Sequence, residues 1–164
     1  MTTRTQRLQQ AIADTGHTFQ GPILGGGDYV PVVHDGDVAY VSGQVPRVGR
    51  KVVVTGRVGG SVTLAEAQQA ARICAIRGLL LLQAQLGDLD RIARVLRVGV
   101  YVQSAATFTQ QSEVADAASA LLKTVLGDAG AHTRTSVGVY QLPKDASVEI
   151  EMTVRTRPTA SGTA

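Results

Sequence analysis

The chain has 164 residues, 44% of them apolar and 18% charged. That is enough for one domain with its own core, and too apolar for a disordered chain. The formal charge is +3, from 16 Lys and Arg against 13 Asp and Glu, with the basic residues scattered; the absence of tryptophan and 4% aromatic content disfavour a base-stacking nucleic-acid platform.

The single cysteine, Cys74, excludes an intrachain disulfide. It lies in an apolar run and reads as core. The polar first ten residues show no signal peptide, and no apolar run reaches membrane-spanning length. A soluble cytoplasmic protein with no membrane partner is the expectation.

Residues 4–15 read as a helix. Thr3 and Gln6 form a capping box, Leu8 and Ile12 an apolar stripe, and Gly16 a stop. This helix should dock on the domain or on a neighbour. Residues 17–27 form a loop ending in three glycines, with no Lys-Ser/Thr to make a phosphate loop. Strands are expected from Tyr29 to His34 and from Val38 to Val45, joined at Asp35-Gly36-Asp37. Ser42 is no hydrolase elbow, because Tyr40 stands where glycine is needed. Val52 to Val54 is a candidate third edge strand, and 56–60 a turn-rich linker.

The strongest helix runs from the Thr63/Glu66 capping box to about Leu86, before Gly87. Leu64, Ala67, Ala71, Cys74, Gly78, Leu81 and Leu82 form its inward stripe. Ile92 to Gln103 reads as a central strand, apolar on both faces. A further helix spans roughly 111–126, with Val114, Ala118, Leu121 and Val125 inward and Gly127 as stop. Two alternating runs around Leu142-Pro143 then suggest a hairpin from Ala131 to Thr156. The tail, 157–164, is expected to be disordered.

The order β-β-(β)-α-β-α-β-β implies an α+β fold, a mixed sheet with two helices on one face plus the extra N-terminal helix. The other face is left uncovered, which predicts an oligomer.

His17, His34 and His132 lack metal-ligand spacing, and no metal or cofactor is expected. Lys51, Lys123 and Lys144 do not read as desolvated Schiff-base lysines. If the apolar faces of the hairpin coincide, Arg134 shares a polar face with Glu149 and Glu151. Two readings stay open there: an exposed cross-strand ion pair, or a carboxylate-binding arginine beside a proton-transferring glutamate. Gly138 would leave room for a ligand.

Over residues 28–156 the chain resembles the Rid family (reactive intermediate deaminase, YjgF-like, formerly labelled L-PSP endoribonuclease), in a less characterised branch. The resemblance rests on Asp28-Tyr29-Val30-Pro31, Val41-Ser42-Gly43-Gln44-Val45-Pro46 and Leu86-Gly87-Asp88-Leu89. It is strongest in Thr133-Arg134-Thr135-Ser136-Val137, Leu142-Pro143-Lys144-Asp145 and Val148-Glu149-Ile150-Glu151. It implies a chorismate-mutase-like fold and a homotrimeric barrel with ligand clefts between subunits. It also implies cofactor-free hydrolysis of enamines and imines to 2-oxo acids and ammonia.

Carried over by position, Arg134 grips a substrate carboxylate and Glu149 orients water and moves protons. Tyr29 and Ser42 line the pocket. Three departures from the family stand out: Asp116 replaces a pocket asparagine, Ser136 a cysteine, and His132-Thr133 an alanine-proline pair. A second carboxylate near an anionic ligand is repulsive unless protonated or turned away. The alternatives are a non-catalytic trimer binding small carboxylates and, with least support from composition, an endoribonuclease.

Overall fold

The computed structural model of the protein describes residues 2–23 and 25–158. Three α-helices and seven strands follow the order α1 (Arg4–Asp14), β1 (Val32–Asp35), β2 (Val38–Gln44), β3 (Arg47–Val48), β4 (Lys51–Val52), α2 (Leu64–Leu86), β5 (Ile92–Gln103), α3 (Gln111–Leu126), β6 (Thr133–Val139) and β7 (Val148–Thr156). Both expected capping boxes form. The Thr3 hydroxyl accepts from the Gln6 amide and the Gln6 side chain answers the Thr3 amide, with the same reciprocity between Thr63 and Glu66. Gly87 and Gly127 stop α2 and α3 at φ of +81° and +64°, a region where a Cβ is costly.

The main sheet has the order β1-β2-β7-β5-β6. Helices α2 and α3 pack on one face, and α1 packs outside them. This is the α+β architecture expected, with both long helices on one side. Helix α2 buries its predicted stripe apart from Leu64, which is only partly buried, and also buries Ile73, Ala75, Ile76 and Leu79. It is enclosed by the sheet on one side and by α1 and α3 on others.

Helix α1 docks on its own domain. Leu8 is fully buried, Arg4 Nη1 donates to the carbonyls of Leu89 (2.9 Å) and Ile92 (2.7 Å), and Arg7 Nε donates to the Val125 carbonyl (2.8 Å). Among the described residues, no helix is long and apolar enough to cross a membrane.

Two expectations are corrected. The segment 52–54 does not extend the main sheet; β3 and β4 form a separate two-stranded ribbon around Gly49, at φ +58°. The runs 133–139 and 148–156 are strands but not a hairpin, because β5 lies between them, parallel to β6 and antiparallel to β7. β5 takes an interior position beside β7, its helix-side face apolar and buried while its open face carries Arg97 and Tyr101 rather than apolar residues, and the crossover through α3 returns the chain parallel to it. β6, with Thr133, Thr135 and Val137 exposed, takes the edge. The tail expected to be disordered lies, from residue 159 on, outside the described residues. Arg157 at its start is tied in, its amide donating to the Arg91 carbonyl at 2.7 Å.

The sheet face away from the helices carries Val33, Tyr40 and Val137, each 40–49% exposed. Arg97, Tyr101, Glu149 and Glu151 share this face, as the register Gly99↔Glu151 and Tyr101↔Glu149 requires.

Candidate functional site

The parity of β5 decides where the predicted site residues go. Val98 and Val100, which point into the core, pair with Arg134 and Ser136. Arg134 therefore faces the helices. Tyr101 pairs with Glu149 on the open face. The shared polar face expected for Arg134, Glu149 and Glu151 is corrected accordingly: the two glutamates share one face, and the arginine lies on the other. The expectation assumed direct pairing of β6 and β7, and the intervening strand removes it.

Glu149 stands in a cleft of about 360 Å3 with Tyr29, Ser42, Gly43, Gln44, Arg47, Arg77 and Lys144 on its walls. A bulge shapes it. The β2–β7 register shifts between Val41 and Gln44, so Ser42 and Gly43 bow out of the ladder. The Gln44 side chain holds the bulge, donating to the Ser42 carbonyl (3.0 Å), Ser42 Oγ (3.2 Å) and the Gly43 carbonyl (3.2 Å). Gly43 lies directly under the Glu149 carboxylate, where a Cβ would collide with it. Burial, and then the negative charge of Glu151, raise the pKa of Glu149 above the usual carboxylate range. A half-buried carboxyl with raised proton affinity suits proton transfer. Glu151 instead accepts from the Tyr101 hydroxyl at 2.9 Å.

The far wall is a strained turn. Lys144 and Asp145 are consecutive non-glycine residues at φ +60° and +57°, a conformation costing on the order of 1–3 kcal/mol each. Buried Gln103 clamps it from both ends of its amide. Its Nε2 donates to Asp145 Oδ1 (2.6 Å) and its Oε1 accepts from the Leu142 amide (2.8 Å).

On the helix face, the Arg134 guanidinium is fixed by α3. Nη1 donates to Asp116 Oδ1 and to Ser119 Oγ, both at 2.9 Å, and Nη2 donates to the Ser112 carbonyl at 3.4 Å. Ser119 Oγ lies 2.9 Å from His132 Nε2, while His132 Nδ1 lies 2.6 Å from the Gly130 carbonyl. A carbonyl only accepts, so Nδ1 carries the proton; in the neutral ring Nε2 accepts from Ser119. Both Nη1 protons are thus used. Among the described residues, Nε makes no hydrogen bond, which leaves the Nε/Nη2 edge for a bidentate carboxylate. Ser136 Oγ lies 3.5 Å from Ser112 Oγ beside this cluster.

The structure therefore divides the predicted residues in two. Tyr29, Ser42 and Glu149 share one cleft; Arg134, Asp116 and Ser136 share another place, and one chain does not unite them. Sequence reasoning missed Arg47, Arg77, Ser119 and His132. Two signals were present: Ser119 falls at i+3 from Asp116, on the same helix face, and Arg77 interrupts the apolar run of α2, an unusual place for a charge. Among the described residues, no group of three His, Cys, Asp or Glu could hold a metal ion.

A family model described as endoribonuclease L-PSP matches residues 23–156. Protein TCP17 of Trypanosoma cruzi is 45% identical over 128 residues, covering 77% of this chain and 80% of that protein. The crystal structure of Atu1372, a protein of unknown function from Agrobacterium tumefaciens, is 39% identical with a TM-score of 0.85, covering 94% of this chain and 95% of that one. The YjgF gene product of E. coli is 23% identical with a TM-score of 0.61, over 86% of this chain and 97% of that one, and shares the fold. The match over residues 23–156 and the identity to TCP17 show that the chain belongs to the endoribonuclease L-PSP family, the YjgF/Rid proteins.

Proposed function

We propose that the protein hydrolyses small reactive enamines and imines, 2-imino acids in particular, to 2-oxo acids and ammonia. The observation that carries this reading is the Glu149 carboxyl, half-buried against the bulge, with its proton affinity raised by burial. An iminium carbon is already electrophilic, so the reaction needs orientation and a proton relay rather than a strong nucleophile.

In this reading the free edge of Arg134 takes the substrate carboxylate. Glu149 accepts a proton from water as the water oxygen bonds to the iminium carbon, giving a carbinolamine. Glu149 returns that proton to the amine nitrogen. Glu149 then takes the hydroxyl proton as the C–N bond breaks and the carbonyl forms, and passes it to the departing ammonia, which leaves as ammonium. With an enamine, Glu149 first protonates carbon to give the iminium. Tyr29 and Ser42 line the cleft.

Arg134 and Glu149 occupy opposite faces of one sheet, so the reading requires a second chain. We place the site between subunits of a homotrimer whose open sheet faces, with Val33, Tyr40 and Val137, turn inward. Sedimentation should then give three chains per particle, and a stable monomer overturns the assembly. For the chemistry, the purified protein should speed the decay of an enzymatically generated 2-imino acid, measured against a trapping nucleophile. Arg134→Gln and Glu149→Gln should each abolish the effect. No acceleration with any amino-acid-derived imine rejects it.

A second reading, a trimer that binds small carboxylates without turnover, draws support from Asp116, which already engages Arg134. Thermal stabilisation by 2-oxo acids without imine hydrolysis would select it.

A further inference from the structure

The cleft around Glu149 holds more positive charge than imine hydrolysis uses. Arg47, Arg77 and Lys144 line it, and among the described residues Glu149 is the only carboxylate on its wall. Arg47 follows Pro46 in the β3–β4 ribbon. Its Nε is buried and has no hydrogen-bond partner among the described residues, and no carboxylate there forms an ion pair with it. Arg47 thus lines a polar cleft with no ion-pair partner among the described residues, and its charge is available to an anionic ligand.

Arg77, 4% exposed on α2, is locked to the same place, because its Nη1 donates to the Arg47 carbonyl at 3.0 Å. Both residues line the one cleft. Burial first, and then the charge of Arg47, lower the pKa of Arg77, as like charges confined together require.

Lys144 reaches the cleft from the left-handed turn clamped by Gln103. Backbone strain of this kind persists where the surroundings over-determine it, and here it puts Lys144 on the cleft wall.

We propose that Arg47, Arg77 and Lys144 form an anion subsite for a second acidic group of the substrate, a carboxylate or a phosphate, so that the ligand of this cleft is a small dianion. The proposal rests on the reading above for its first carboxylate, which goes to Arg134. The subsite itself is testable without catalysis.

The test is calorimetric titration of the whole protein at fixed ionic strength with 2-oxobutyrate, 2-oxoglutarate and inorganic phosphate. The wild type should bind 2-oxoglutarate at least about tenfold more tightly than 2-oxobutyrate, the scale of one charge-assisted hydrogen bond. Arg47→Gln and Lys144→Gln should each erase most of that preference, and Arg47→Lys should keep it. Lys144 is exposed, so its variant reports even if Arg47→Gln fails to fold. Phosphate that competes with 2-oxoglutarate in the wild type but not in Arg47→Gln assigns the subsite to phosphate-bearing substrates; 2-oxoglutarate binding that phosphate leaves unchanged assigns it to dicarboxylates.

Equal affinity for the two oxo acids, no binding of either, or a preference untouched by both variants overturns the subsite. A dianion preference without imine hydrolysis keeps the subsite and removes the deaminase reading. Imine hydrolysis indifferent to a second charge does the reverse.

Discussion

The Arg134 guanidinium meets the Asp116 carboxylate at 2.9 Å, at a position where the family resemblance leads one to expect asparagine. The pair is half open to solvent: the Asp116 side chain is 66% exposed and that of Arg134 20%. Such pairs contribute at most about 1 kcal/mol to stability. Their effect is on ligands, because a carboxylate arriving at the Nε/Nη2 edge meets the field of Asp116. Asp116→Asn should therefore tighten binding of a simple monocarboxylate about three- to tenfold while moving stability little. Calorimetric titration of both proteins, with Arg134→Gln as the non-binding control, checks this; weaker binding in Asp116→Asn would show that the carboxylate assists the ligand.

Glu149 should make stability depend on pH. Its folded pKa is raised, so between the ordinary glutamate value and that higher value the folded state binds more protons than the unfolded one. Stability then falls as pH rises through that window, and the cost persists above it. Glu149→Gln should raise the melting temperature at pH 7 and lose this advantage below about pH 4. Imine hydrolysis should disappear at every pH. Melting curves across pH 3–8 provide the check, and an advantage that instead grows on acidification contradicts the sign.

Gly43 offers a way to disturb Glu149 without touching it. An alanine methyl there would occupy the space of the Glu149 carboxylate. That carboxylate is the end of a flexible side chain and can swing aside. Gly43→Ala should cost only about 1 kcal/mol of stability yet lower imine hydrolysis more than tenfold. A variant with full activity would mean that the position of Glu149 against the bulge is unimportant.

The N-terminal helix should behave as part of the domain. Leu8 is fully buried, and Leu8→Ala should cost about 2–4 kcal/mol in denaturant unfolding. Arg4→Ala removes the bonds to Leu89 and Ile92 and the ion pair with Asp90, and should also destabilise. A cost near zero for both would mark the helix as a loose appendage.

Periodicity, capping boxes and terminal glycines placed α1, α2, α3 and β5 in the sequence itself, because those signals are local and the structure honours them. The strand at Ile92–Gln103 was legible as interior from its apolar run, although its open face carries Arg97 and Tyr101. The motif around Arg134 and Glu149 was also legible, as residue identities at fixed spacing. Partnership was not. Whether β6 pairs with β7 or with β5 is a long-range choice, settled by the crossover through α3, which returns the chain parallel to β5. One intervening strand moved Arg134 to the helix face and left Glu149 on the open one. The same folding brought Arg47, Arg77 and Lys144, up to 97 positions apart (144 − 47), to one cleft. No local pattern encodes such a meeting, because it is produced by the packing of α2 on the sheet and the clamp of Gln103 on a strained turn.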